Sequence, residues 1–196
     1  RRRYRSDVRA RLEGSLDPHP APIPGEGDRL AAVLLPLVEG DRLVLTRRTE
    51  HLSRHPGEIS FPGGLTHEED VDLSATALRE TQEELGLAPD DVEVLGALEP
   101  VHTFVSAILI VPFVGVVSAA PVFTPSEAEI AEVLSYPLDE LMVAETRVEW
   151  PRDGLVYRGF AYPMSDGNTI WGATATIVNE LMAIVPHSPS IPVVPI

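Results

Sequence analysis

Glu80, Glu83 and Glu84 stand at positions i, i+3 and i+4, and they are the residues here whose types and spacing best suit chemistry. On a helix such carboxylates lie within about 5–6 Å of one another at Cβ, and each like-charged pair costs on the order of a few tenths of a kcal/mol. The cluster has two readings. It is a solvated acidic face, or it holds a hard divalent cation, as Mg²⁺ is held by a few carboxylates with waters and substrate phosphates completing its octahedron. Two features favour the metal. The cluster borders the apolar stripe of its helix instead of lying opposite it, and it follows a Gly63-Gly64 turn whose bare backbone lets a ligand approach closely. Arg79, four residues before Glu83, is placed to orient that carboxylate.

These residues need a helix over about 72–85. At 100° per residue, Leu73, Ala77, Leu78, Thr81 and Leu85 fall in an arc about 140° wide, and the three glutamates fill an adjoining arc of about 100°. Gly86 takes the left-handed conformation that closes a helix, Leu87 folds back on the last turn, and Pro89 prevents continuation. Upstream, runs at 31–38 and 42–46 flank Glu39-Gly40-Asp41 and predict a hairpin. Downstream, the pattern predicts strands over 92–98 and 108–117 and a helix over 126–134. Strands near 146–150 and 155–161 follow, then a helix over 171–184. Their alternation implies α/β architecture, a mixed sheet covered by helices. An N-terminal helix docking through Tyr4, Val8 and Leu12 and a Pro-rich linker occupy 1–28, the main domain 29–185, and a Pro-rich tail 186–196.

Composition removes other chemistries. The 196 residues carry 30 acids and 15 cations, for a net charge of −15; every cation is Arg, and Cys is absent. That excludes Schiff-base lysine, a Walker lysine, thiolate nucleophiles and cysteine-ligated zinc. So acidic a body repels nucleic acid and anionic membrane, although six arginines crowd residues 1–11. The longest apolar run, 107–117, is too short to cross a bilayer, and no secretory signal opens the chain. The expectation is a soluble cytoplasmic protein, with oligomeric state open. His51 and His55 have an H-x3-H spacing but lack the intervening Glu of a zinc-hydrolase helix. Trp171 and Phe104 are aromatic groups for stacking on adenine or for the core.

Gly64, five residues, Asp70, eight residues, then Arg79-Glu80-Thr81-Gln82-Glu83-Glu84-Leu85-Gly86-Leu87 resembles the Nudix box, G-x5-E-x7-R-E-U-x-E-E-x-G-U, where U is apolar. Asp70 stands where the box has Glu, and the Gly-to-Arg spacing is one residue longer. That longer spacing is familiar from the coenzyme A pyrophosphatase branch, marked by L-L-T-x-R-[SA]-x3-R-x3-G-x3-F-P-G-G. Here Arg48, Gly57 and Phe61-Pro62-Gly63-Gly64 fall in register; Thr49 replaces Ser or Ala, and Ser53 occupies the second Arg position with Arg54 one place late. The resemblance extends over about residues 30–185.

The resemblance implies a Nudix-type α/β/α sandwich with a mixed β-sheet. It also implies hydrolysis of the diphosphate of coenzyme A or its derivatives to 4′-phosphopantetheine and adenosine 3′,5′-bisphosphate. Glu80 and Glu84 are then ligands of Mg²⁺ or Mn²⁺, Glu83 joins a further ion or orients water, Arg79 orients Glu83, and the Gly64 carbonyl adds a ligand. Glu129, ahead of Glu127 and Glu132, is the candidate base outside the box; its other reading is an acid favoured by the predicted helix's dipole. Arg47, Arg48 and Arg54 are the fixed cations available for substrate phosphates, or local ion-pair partners of Glu50 and Glu58. Gly57 and Phe61 complete the substrate-side motif. ADP-ribose or another nucleoside diphosphate derivative is the alternative substrate, and a nucleotide sensor without turnover is the alternative of another class.

Overall fold

The computed structural model describes residues 2–52, 55–103, 107–117, 121–152 and 155–186. Arg54, Phe104 and the tail beyond 186 lie outside them. Helix α1 (Arg2–Ser15) is followed by β1 (Arg29–Val38), β2 (Arg42–Arg48), β3 (Ile59–Ser60) and β4 (Gly63–Leu65). Helix α2 (Leu73–Leu85) leads to β5 (Val92–Ala97), β6 (Val101–Thr103), β7 (Ile108–Val117) and β8 (Ile130–Pro137). Then come α3 (Leu138–Ala144), β9 (Thr146–Arg152), β10 (Leu155–Pro163), β11 (Thr169–Ile170) and α4 (Gly172–Ile184).

The hairpin predicted around Glu39 forms, with Leu37 opposite Leu43 and both Glu39 and Gly40 at positive φ. β1 then runs parallel to β7 over ten positions, while β5 and β6 are antiparallel to β7. β3 and β8 add to β2, and β4 adds to β1. The result is a mixed eight-stranded sheet, with β9, β10 and β11 forming a smaller antiparallel one. This is an α/β fold.

Side-chain alternation along β1 and β2 separates two cores. Leu35, Leu37, Leu43 and Leu45 pack with Tyr4, Val8 and Leu12 of α1, Leu138 and Leu141 of α3, and Ile177 and Leu181 of α4. On the other face, Ala32 and Leu34 meet Ala77 of α2, and Val44 meets Leu85. The N-terminal helix thus docks by the three residues its spacing predicts.

One predicted element is wrong. Residues 126–134 are not a helix; a turn through Glu129 leads into β8, which pairs antiparallel with β2. Ile130 and Leu134 are buried, and an i, i+4 spacing satisfies both a helical turn and a two-residue strand period. The exposed edge of β2 decides between them. The dipole explanation for Glu129 disappears with that helix. The short elements β3, β4, β6, α3 and β11 carry too few residues to show a clear period and were not expected.

Candidate active site

Helix α2 is built as its sequence implies. Asp72 accepts from the Ala75 N–H at 2.8 Å as N-cap, and Gly86 at φ 68° returns its N–H to Gln82. Its buried face holds Thr76, Ala77, Thr81 and Leu85, with Leu73 and Leu78 only partly covered, and it also takes in Glu84.

Glu84 is 4 % exposed. It accepts from the Gly63 N–H at 3.3 Å, and Arg48 Nη1 stands 3.6 Å from its Oε1. Those partners do not offset desolvation. Burial pushes Glu84 up to about 8, with Glu129 and Glu80 adding repulsion against the pull of Arg48 and Gly63. A buried carboxylate this poorly matched, among further hard oxygens, fits Mg²⁺ or Mn²⁺. Among the described residues no three such groups already converge as a metal cluster, because Glu80 and Glu83 turn toward Arg79, whose Nη1 donates to them at 2.8 and 3.4 Å.

Arg79 is fixed in turn by Asp70, to which Nε and Nη2 donate at 2.9 and 3.1 Å, and by the Leu65 carbonyl at 3.2 Å. Asp70 also accepts from the His67 N–H and the Thr76 hydroxyl. The Arg79 pairing, foremost, holds its carboxyl well below the usual range against the effect of burial. The shorter acid therefore anchors the arginine of the motif.

Space requires a glycine at 63, and Gly64 leaves room for the Glu80 carboxylate. A Cβ at Gly63, whose φ is 152°, collides with the Ala32 carbonyl oxygen, and one at Gly64 lies 2.5 Å from the Glu80 carboxylate. Gly57, at φ 68°, meets the Glu50 carboxylate in the same way. Phe61 is 3 % exposed within the main core; it packs there and shapes the turn from below.

The two neighbouring arginines part company. Arg48 faces α2, with its Nε buried and unpartnered. Arg47, on the opposite face, donates Nε and Nη2 to Glu132 Oε2 and Nη2 to Asn168 Oδ1 at 2.6 Å. Its partners are thus neither Glu50 nor Glu58. Glu129 has an exposed side chain on a turn bound to α2 and to the end of β2, for Ser126 N–H donates to the Glu84 carbonyl and Thr49 N–H to the Glu129 carbonyl, both at 2.9 Å. Glu127 is exposed on the same turn, and Glu132 is engaged by Arg47.

His51 Nε2 reaches the Ala128 carbonyl and His55 Nδ1 reaches Glu58, so they serve separate contacts. Trp171 is 55 % exposed at the start of α4, outside the core. Asp70 as anchor, Thr49 and His51 as turn contacts and Asn168 as partner of Arg47 escaped sequence reasoning, since their partners are brought close only by the fold.

The NUDIX domain family profile matches residues 27–158. NudL of Pectobacterium atrosepticum, described as an uncharacterized Nudix hydrolase, is 35 % identical over 179 residues, covering 90 % of this chain and 92 % of its own. The chloroplastic Nudix hydrolase 22 of Arabidopsis thaliana is 38 % identical over 172 residues, covering 81 % of this chain and 56 % of its own. A solved NUDIX hydrolase from Nitrosomonas europaea aligns over 56 % of this chain and 57 % of its own at 20 % identity, with a TM-score of 0.48.

Proposed function

This chain belongs to the NUDIX domain family of hydrolases, and on that premise we propose that it splits the diphosphate of coenzyme A or its derivatives in a divalent-metal-dependent reaction. The observation that carries the reading is the buried, under-compensated Glu84 beside the Gly63-Gly64 turn. Coenzyme A as substrate is supported by Arg48, Gly57 and Phe61-Pro62-Gly63-Gly64 standing in the register of that branch.

Glu80, Glu84, Glu83 and the Gly64 carbonyl are the groups that would hold Mg²⁺ or Mn²⁺, which when bound neutralises phosphate charge and makes water a better nucleophile. The chain's own residues do the rest. Arg79, pinned by Asp70, keeps Glu80 and Glu83 on one side of α2. Glu129 accepts the proton of the attacking water at its carboxylate; its backbone is tied to the turn beside α2, and its charge is felt at Glu84. Arg48 brings positive charge to a protein of net charge −15, whose field otherwise repels an anionic substrate. Arg54, one place after the second Arg position of the motif, is a further cation for the substrate phosphates. Arg47, engaged by Glu132 and Asn168, has a smaller part in substrate binding.

Among the described residues no helix is long and apolar enough to cross a membrane, and the absence of cysteine suits a cytoplasmic setting. The test is incubation with Mg²⁺ and, in parallel, coenzyme A, ADP-ribose and diadenosine polyphosphate, followed by chromatography. Coenzyme A is expected to give 4′-phosphopantetheine and adenosine 3′,5′-bisphosphate. Faster cleavage of ADP-ribose, the outcome that Ser53 in the second Arg position would favour, overturns the substrate; binding without turnover makes the protein a sensor.

A further inference from the structure

Thr49 is buried, 7 % exposed, directly after the end of β2. Its hydroxyl does not enter the core's hydrogen bonding; Oγ1 donates to the Ala128 carbonyl at 3.3 Å. The same carbonyl lies 3.1 Å from His51 Nε2, which must carry the proton to make that bond. The Thr49 N–H meanwhile donates to the Glu129 carbonyl. Two residues of the substrate-side segment thus make three contacts with two successive carbonyls of the turn.

The other end of the turn is tied to α2. Thr124 N–H donates to the Leu85 carbonyl and Ser126 N–H to the Glu84 carbonyl, both at 2.9 Å, while Glu129 and Ile130 return their N–H groups to Ser126. Where β8 enters the sheet, Arg47 pairs with Glu132 but Arg48 with Ile130, a bulge that brings Glu129 to the end of β2. The backbone of Glu129 is held on both sides, and its side chain is left exposed.

Resting on the role of Glu129 proposed above, we infer that Thr49 and His51 are positioning residues that set where Glu129 stands relative to Glu84. They tie the end of β2 to the turn carrying the base. Neither touches the reacting atoms.

Thr49→Val keeps the branched shape and removes the donor; Thr49→Ser keeps the donor. In this chain with Mg²⁺ and coenzyme A, Thr49→Val and His51→Ala should each lower kcat about five- to tenfold with KM within twofold. Thr49→Ser should restore kcat. Amide exchange read without substrate should quicken about fivefold at Glu129 and Ile130 in Thr49→Val, and return in Thr49→Ser. In a Glu129→Gln background, the loss from Thr49→Val should shrink below twofold, because both act through one carboxylate.

Unchanged exchange in Thr49→Val overturns the inference whatever the substrate proves to be. If Glu129→Gln itself slows turnover but the Thr49→Val loss remains full in that background, the positioning role alone falls. If Glu129→Gln leaves turnover intact, the base role and the positioning role fall together.

Discussion

Leu43, Leu45 and Arg47 face the side of the large sheet covered by α1, α3 and α4, whereas Val44, Thr46 and Arg48 face α2. On the first side Arg47 is matched by Glu132 and Asn168, and Asn168 is itself tied to Tyr136 and Asp166. On the second, Arg48 has an orphaned Nε and stands 3.6 Å from a buried carboxylate driven up to about 8. Leaving buried polar groups short of partners costs roughly 1–3 kcal/mol each. Of the two arginines only Arg48 carries such a deficit, and it coincides with the motif glutamates. Between neighbouring positions 47 and 48, incomplete charge compensation, more than acidity as such, separates the arginine at the candidate site from the one on the packed side.

The largest break in that comparison is Glu84→Gln, which should lower turnover roughly 10³-fold while the fold persists. Stability should move the other way. A carboxylate whose ordinary value is 4.5 and whose folded value is about 8 stays protonated in the folded chain after the unfolded chain has ionised. The metal-free protein therefore loses stability as pH rises from about 4.5 through about 8. Glu84→Gln removes that slope and should be more stable than wild type in EDTA above pH 8, by on the order of 2–4 kcal/mol. Thermal melts at pH 6 and pH 9 read the difference; parallel slopes in the two proteins would show that Glu84 is not the strained group.

Arg48→Ala comes next. It removes the cation nearest Glu84, so kcat/KM should fall roughly 10- to 100-fold, and the pH at which activity rises should move upward. Arg48→Lys should recover only part, because a point charge does not reproduce the guanidinium fork. An unshifted pH profile in Arg48→Ala would sever the link between the arginine and the carboxylate.

Asp70→Asn sharpens the comparison with a well-matched pair on the α2 face itself. The Asp70 side chain is 7 % exposed against 24 % for Arg79, and loss of their paired bonds should cost about 2 kcal/mol at pH 7. Because the folded-state value of Asp70 is depressed, its contribution is present above the unfolded carboxylate range and fades as pH falls through the folded value. Wild type should therefore have an acid-side stability slope below about pH 4 that Asp70→Asn lacks. Urea titrations at pH 3 and pH 7 measure it. Turnover should drop about tenfold, as Glu80 and Glu83 lose a fixed partner.

Much of this contrast could be read in the sequence, for reasons that differ by residue. Helix α2 was legible because Asp72, the apolar period and Gly86 agree at every level. Glu84 falls at the edge of the apolar stripe, angularly between Leu73 and Ala77, so the period already puts it beside the docking face; the depth of its burial follows from how α2 lies on Ala32 and Leu34. The turn carrying Glu129 was misread because Ile130 and Leu134 suit either period. Asn168 lies 121 residues from Arg47, and nothing along the chain couples them. The division of Arg47 from Arg48 does follow from strand alternation, yet the expectation placed both on substrate phosphates.

The smallest effect is expected from Arg47→Ala, and it tests whether that division is functional. The guanidinium is 29 % exposed and its partner Glu132 52 % exposed, so the ion pair should contribute no more than about 1 kcal/mol. The bond to Asn168 adds a similar amount, since it leaves an amide short of one donor. A fall in melting temperature of a few degrees should therefore accompany turnover within threefold of wild type. Coenzyme A and its analogue lacking the 3′-phosphate give the sharper reading. If Arg47 belongs to the packed face, both keep their KM in Arg47→Ala. A KM raised for coenzyme A but not for the analogue would mean that Arg47 leaves Glu132 to meet the 3′-phosphate, and the site would then extend across the edge of the sheet onto both its faces.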